Sequence, residues 1–173
     1  PKMNRQEAIK RATELVGKMT TAEKASQLRF DSPAIDRLGI PEYNWWNEAL
    51  HGVARAGMST VFPQSIGLAA TFDPELVELI GKATGEEGRI KNEIYRSEGE
   101  RGIYKGLTYW SPNINIVRDP RWGRVMEGYG EDVYTNSVFC EAAVRGYQGD
   151  DLSDPNSIAA CLKHYVGYGA SEA

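Results

Sequence analysis

Apolar residues recur at helical spacing through Ala8, Ala12, Leu15 and Met19, with Ile9 and Val16 beside them. They predict an opening helix that Gly17 weakens near its end. "TTAE" follows, and Thr20 with Glu23 fits a capping box that opens a second, short helix through Leu28. The pattern then changes. Gly39 and Pro41 punctuate the chain, and the aromatic run from Tyr43 to Trp46 reads as strand, with polar Asn47 and Glu48 at its C-terminal end. A short helix is predicted after Pro63. A longer one follows Asp73, which is placed to cap it, with Pro74 at the first helical position and Leu76, Ile80 and Ala83 as its apolar face. The stretch from Arg96 to Lys105 is polar and glycine-containing and reads as a loop.

Asn113 to Val117 is the second strand candidate, because Pro112 makes the residues before it irregular. After a long polar loop, Glu131 or Asp132 caps a helix with Tyr134, Val138 and Glu141 at helical spacing and Gly146 and Gly149 near its end. "SIAACLKHYVGYG" supplies a third strand of small and apolar residues, ending at Lys163 and His164. Strands alternating with helices imply parallel pairing and an α/β fold.

Composition narrows the classes. The 173 residues can bury a real core, and 41% apolar with 25% charged residues is ordinary for a globular chain. The formal net charge of −4 argues against nucleic acid as a partner, since phosphate binding needs a basic face. No apolar run approaches the roughly 20 residues of a membrane helix. No signal peptide is visible, which leaves both a cytoplasmic chain and a secreted one with its leader trimmed in play. Cys140 and Cys161 have no metal-binding spacing and sit in apolar contexts, which predicts buried free thiols.

The chemistry gathers where strands end. Glu48, the loop from Arg118 to Asp132, and Lys163 with His164 each lie at or beyond the C-terminal end of a predicted strand, the face where parallel α/β proteins build their sites. A solvated loop charge explains any one of them; three at equivalent positions favour one shared cleft. Within the loop, Arg118, Asp119 and Arg121 are expected to form a buried ion network around a turn anchored by Trp122, leaving Arg124 to reach a ligand. His51 and Arg55 read as structural. The chain has no Gly-x-Ser-x-Gly elbow, phosphate loop or His-Glu-x-x-His, and its two histidines exclude a His-rich metal site.

"WWNEALHGV", "TVFPQSIGLAATFDPELV", "LTYWSPNINIVRDPRWGR", "GYGED" and "CLKHYVGYG", in that order, resemble the N-terminal half of the catalytic barrel of glycoside hydrolase family 3, the family of exo-acting β-glucosidases and β-xylosidases. The resemblance implies a (β/α)8 TIM-type barrel, of which residues 1–173 would be roughly the N-terminal half, since a whole barrel takes roughly 250 residues. It implies retaining hydrolysis by two carboxyl groups about 5–5.5 Å apart. It places Glu48, Arg124, Lys163 and His164 around the sugar in the −1 subsite as substrate-binding residues. No residue here matches the nucleophilic Asp or the acid/base Glu, both expected beyond residue 173. Tyr168 stands where the family's N-acetylglucosaminidase branch carries a catalytic His, which counts against that branch. The implied substrate is a β-linked oligosaccharide or an aryl or alkyl glycoside, with glucosides placed ahead of xylosides. The implied partner is the remainder of the polypeptide, with no cofactor, metal, nucleic acid or membrane; a homo-oligomer is left open. An incomplete barrel would also expose a sheet edge and an apolar seam, so the alternative expectation is a non-catalytic carbohydrate-binding or structural half-barrel, and residues 1–173 alone are expected to be inactive.

Overall fold

The computed structural model describes residues 4–154 and 157–169. Local capping fixes where the helices begin. Helix α1 (Arg5–Lys18) starts where Asn4 accepts from the Glu7 amide, and none of its residues is buried. In α2 (Thr21–Ser26) the expected capping box is complete: the Glu23 amide donates to Thr20 Oγ1 at 3.2 Å and the Thr20 amide to Glu23 Oε2 at 2.7 Å. Glu23 is also gripped by Arg37, and the hydrogen bonds from Arg37 and then Thr20 hold its carboxyl down at about 2. A small antiparallel ladder follows, β1 (Asp31–Ser32) with β2 (Tyr43–Asn44). The aromatic run is therefore a strand only at its start. The parallel array begins beyond it, at Asn47.

That array has three members. Asn47 bridges Tyr109 of β3 (Thr108–Tyr109), and Tyr109 pairs in parallel register with Ala160 of β4 (Ala159–Ala160). The Trp110 amide donates to Asn47 O, and the Cys161 amide to Tyr109 O, both at 2.8 Å. Helices α3 (Ser65–Ala69) and α4 (Pro74–Ser97) make the first crossover, and α5 (Val133–Gln148) makes the second. Asp73 caps α4 and Asp132 caps α5, each accepting from the amide three residues on. The result is the strand–helix–strand–helix–strand order expected of a (β/α) barrel.

The second strand lies earlier than expected. Regular pairing falls at Thr108–Tyr109, and a further bridge joins Asn113 to Lys163. The Ile114 amide still donates to Lys163 O at 2.8 Å, but beyond it the backbone donors go elsewhere: Asn115 N to Asn113 Oδ1, and Val117 N to Gly130 O. Pro112 interrupts nothing, because only its carbonyl is used, accepting from Lys163 N at 3.3 Å.

The buried helix faces also differ from expectation. Leu76 and Ala83 are exposed, and α4 instead buries Val77, Gly81, Thr84, Gly85 and Gly88. Glycine is buried there because backbones meet. A Cβ on Gly146 of α5 would lie 2.5 Å from Glu78 O and 2.7 Å from Gly81 Cα. A Cβ on Gly88 would lie 2.2 Å from the Tyr109 hydroxyl. In α5, Tyr134 is exposed while Phe139, Cys140, Ala143 and Tyr147 are buried. Tyr147 reaches across the core to donate to Ala49 O at 2.6 Å, and burial pushes its phenol up to about 12. Cys140 and Cys161 are both free, but only Cys140 is buried; Cys161 is exposed at the edge strand. Beside that strand and α5, an apolar groove of about 440 Å³ is lined by Ile114, Ile116, Val133, Cys140, Val144 and Leu162.

Candidate active site

The four predicted side chains all lie at the C-terminal end of the parallel array. Glu48 directly follows the Asn47 bridge, and Lys163 and His164 follow β4 at the Asn113 bridge. Arg124 stands at the end of the loop after β3, where a short 3-10 turn, Val125–Glu127, folds back on it. All four are half-buried.

Arg124, Glu127 and His164 are in direct contact. Arg124 Nε donates to Glu127 Oε1 at 2.8 Å and Nη2 to Oε2 at 2.5 Å, a two-pronged pair. Arg124 Nη1 lies 3.3 Å from His164 Nε2. His164 Nδ1 lies 2.9 Å from Asn115 Oδ1, which also accepts from the His164 amide at 3.0 Å. Asn115 is itself buried, and its Nδ2 donates to Tyr168 O at 2.8 Å. Tyr168 meets His164 and Trp122 edge-on, with ring centroids 5.0 and 5.5 Å apart, and Arg124 lies over its ring.

Lys163 joins the group through charge. Burial lowers its ammonium below the ordinary lysine value, attraction to Glu127 and Glu48 pulls the other way, and Arg124 adds to the lowering. Burial likewise lowers His164, reinforced by the charges of Arg124 and Lys163. Glu127 is pushed up by burial, but the Arg124 hydrogen bonds and charge, then Lys163 and Asn113, outweigh that and leave it lowered. The pairing with Glu127 raises Arg124.

Glu48 is aimed by its neighbour. Trp46 Nε1 donates to Glu48 Oε1 at 3.1 Å, and the Trp46 indole stacks on Trp110 with centroids 4.8 Å apart. An open groove of about 640 Å³ runs past Glu48 and Glu127, lined also by His51, Val61, Gln64 and Met126. His51 borders it while donating Nδ1–H to Phe62 O at 2.9 Å; Arg55 packs on Tyr104.

The rest of the loop departs from expectation. Asp119 and Arg121 do pair, at 2.6 Å, but in solvent: the Arg121 side chain is 77% exposed. Arg118 stands outside that pair and donates to Ile116 O at 3.5 Å. Two residues apart, Asp119 and Arg121 close on themselves and need no buried third partner. The anchor is Trp122, which is 3% exposed. Sequence reasoning did not single out Asn115, Glu127 or Trp46. A signal existed for two of them: Asn113 and Asn115 alternate with Ile114 and Ile116, as a polar strand face does, and Glu127 stands three residues after Arg124, a spacing at which opposite charges meet.

The arrangement offers a carboxylate, a guanidinium and an ammonium around one opening, with fixed supports behind them. Such a set grips a hydroxylated ligand from several sides by charged hydrogen bonds. Among the described residues no cluster of His, Cys, Asp and Glu could hold a metal ion.

Comparison with known proteins bears on what enters that opening. The family described as "Glycosyl hydrolase family 3 N terminal domain" matches residues 7–173. A xylan 1,4-beta-xylosidase of Xylanibacter ruminicola is 42% identical over 167 residues, covering 95% of this chain and 19% of that protein. Among solved structures, an exo-beta-xylosidase in complex with a xylobiose aziridine probe superposes with a TM-score of 0.77 at 34% identity, over 94% of this chain and 21% of that one. A beta-glucosidase from Listeria innocua in complex with isofagomine gives 0.70 at 29% identity, over 97% and 26%. The chain thus spans about a fifth of the length of the curated relatives it matches.

Proposed function

The chain belongs to the glycoside hydrolase family 3 N-terminal domain family, and from that premise we propose that it supplies the sugar-gripping face of a retaining exo-β-glycosidase whose preferred substrates are β-xylosides. The observation that carries this is the contact of Arg124 with both Glu127 and His164 at one end of the parallel strands, beside Lys163 at the Asn113 bridge, with Glu48 and Glu127 lining the same groove.

On this reading Glu48 accepts hydrogen bonds from hydroxyls of the sugar in the −1 subsite, while Arg124 and Lys163 donate to others. His164 backs Arg124. These groups bind and orient the ring, and their charged hydrogen bonds strengthen as charge develops in the oxocarbenium-like transition state. Bond cleavage belongs to an Asp nucleophile and a Glu acid/base beyond residue 173, one attacking the anomeric carbon and the other protonating the leaving oxygen before activating water. Residues 1–173 are then the N-terminal portion of the barrel domain.

The sequence-based expectation put glucosides first. The higher TM-score and identity of the xylosidase structure, together with the 42% identical curated xylosidase, support the reverse order. Initial rates on 4-nitrophenyl β-xyloside and β-glucoside, measured with the full-length protein, test it. A higher kcat/KM on the xyloside is expected. A higher value on the glucoside reverses the order, and no release from either ends the glycosidase reading.

A further inference from the structure

We propose that Glu127 is the positioning residue of this site, the carboxylate that holds Arg124 and Lys163 together so that both donate to one sugar. The proposal rests on the glycosidase reading and adds to it a residue that does no proton transfer and needs no contact with the ring.

The geometry is specific. Both Glu127 oxygens are engaged by Arg124, through Nε and Nη2, so the plane of the guanidinium is set by the plane of the carboxylate. The short turn Val125–Glu127 makes this possible at three residues' separation. Asn113 gives independent support. Its side chain is completely buried beneath the site, and its Nδ2 finds no hydrogen-bond partner within normal range among the described residues. The charge that this stranded N–H favours is that of Glu127. A buried donor is costly when no acceptor satisfies it, and a negative charge at Glu127 offsets part of that cost. Lys163, adjacent to His164 in the chain, is the second cation near Glu127, and its charge and that of Glu127 favour each other.

Removing the charge leaves Arg124 and Lys163 repelling each other in a half-buried setting, with Glu48 the remaining carboxylate that acts on Lys163 among the described residues. The groups that face Lys163 are Glu127, Glu48, Arg124, His164 and Cys161. Loss of Glu127 therefore lowers the ammonium further and lets the two donors move apart.

Glu127→Gln and Glu127→Asp in the full-length protein separate this role from simple loop support. The first readout needs no activity: the Lys163 ammonium is titrated through its 13Cε NMR shift. Glu127→Gln should move that titration to lower pH, and Glu127→Asp, which keeps the charge, should leave it near wild type. The second readout is kcat/KM on the aryl xyloside across pH. The Gln variant should lose about tenfold or more, with its alkaline limb shifted to lower pH. The Asp variant, one methylene short, should lose rate but keep the wild-type limb. An unmoved lysine titration in the Gln variant overturns the proposal, as does a rate loss whose pH profile matches wild type. If the Gln variant does not fold, an Asp variant with wild-type rate overturns it. Should the wild type release no sugar at all, the glycosidase reading fails alone, and the lysine titration still decides the role of Glu127.

Discussion

Arg124 Nη1 lies 3.3 Å from Nε2 of His164, and a guanidinium can only donate. Nε2 must therefore carry the lone pair, which puts the proton on Nδ1, facing Asn115 Oδ1 at 2.9 Å. Two separate contacts specify the same tautomer. A neutral imidazole is thus built into the cluster, and it serves as the backstop of the arginine rather than as a charge.

His164 should accordingly titrate below 6.5, because burial, then the charges of Arg124 and Lys163, disfavours its protonated form. The sign for stability follows. Between the folded value and 6.5 the unfolded chain binds the extra proton, so His164's contribution is present above 6.5 and is lost as the pH falls through that window. Long-range 1H–15N NMR should show the Nδ1–H tautomer at neutral pH. An Nε2–H tautomer would contradict the contact with Arg124. Asn115→Asp sets a carboxylate against Nδ1 and should move the titration upward.

Arg124→Lys keeps the charge but cannot span both Glu127 oxygens and His164 at once. In the full-length enzyme it should lower kcat/KM by about 10²-fold, and Lys163→Ala by a similar factor, about 2.7 kcal/mol each. Steady-state kinetics within a factor of two or so of wild type would move either residue from the sugar-binding set to the scaffold.

Asn115→Ala removes two acceptor contacts to His164 and one donor contact to Tyr168 O from a buried position. The expected loss is about 1–3 kcal/mol of stability, since the freed His164 amide is left without that partner. Chemical denaturation of the full-length protein checks this. A change under a few tenths of a kcal/mol would mean that water replaces the amide at no cost.

The crossing of α4 and α5 makes a paired test. Gly146→Ala forces a methyl to 2.5 Å from Glu78 O and should cost about 1–3 kcal/mol. Gly17→Ala, near the end of α1 with nothing within 4 Å, should instead stabilise by about 0.5 kcal/mol. Thermal melts moving in opposite directions are the expected result.

The starts of the helices were legible in the sequence, because a cap is a local device: Thr20 with Glu23, Asp73 with Pro74, and Asp132 each act within one turn. The strand-end position of Glu48, Lys163 and His164 was legible too, as polar residues closing apolar runs. The buried faces of α4 and α5 were not. Gly81, Gly88 and Gly146 carry no apolar signal, yet they are interior because two backbones, or a backbone and Tyr109, need their space. Nor was the pairing register of β3. There the buried amides Asn47, Asn113 and Asn115 stand where a hydrophobic pattern looks for aliphatic residues, and side-chain hydrogen bonds replace ladder bonds. Charge density alone does not reveal whether a short-range pair faces the core or solvent, so the buried network expected of Arg118, Asp119 and Arg121 is in fact an exposed pair with Arg118 outside it.

One consequence of the cluster concerns salt. Arg124 and Lys163 are offset by Glu48 and Glu127, and His164 is neutral, so these five side chains carry strong local fields but almost no net charge, and the Asp nucleophile proposed beyond residue 173 sets the sign of the complete opening. A neutral sugar approaching it feels little long-range pull, and a uronate gains no head start. Raising ionic strength from tens to hundreds of millimolar should therefore leave kcat/KM on a neutral aryl xyloside flat, in wild type and in Glu127→Gln alike.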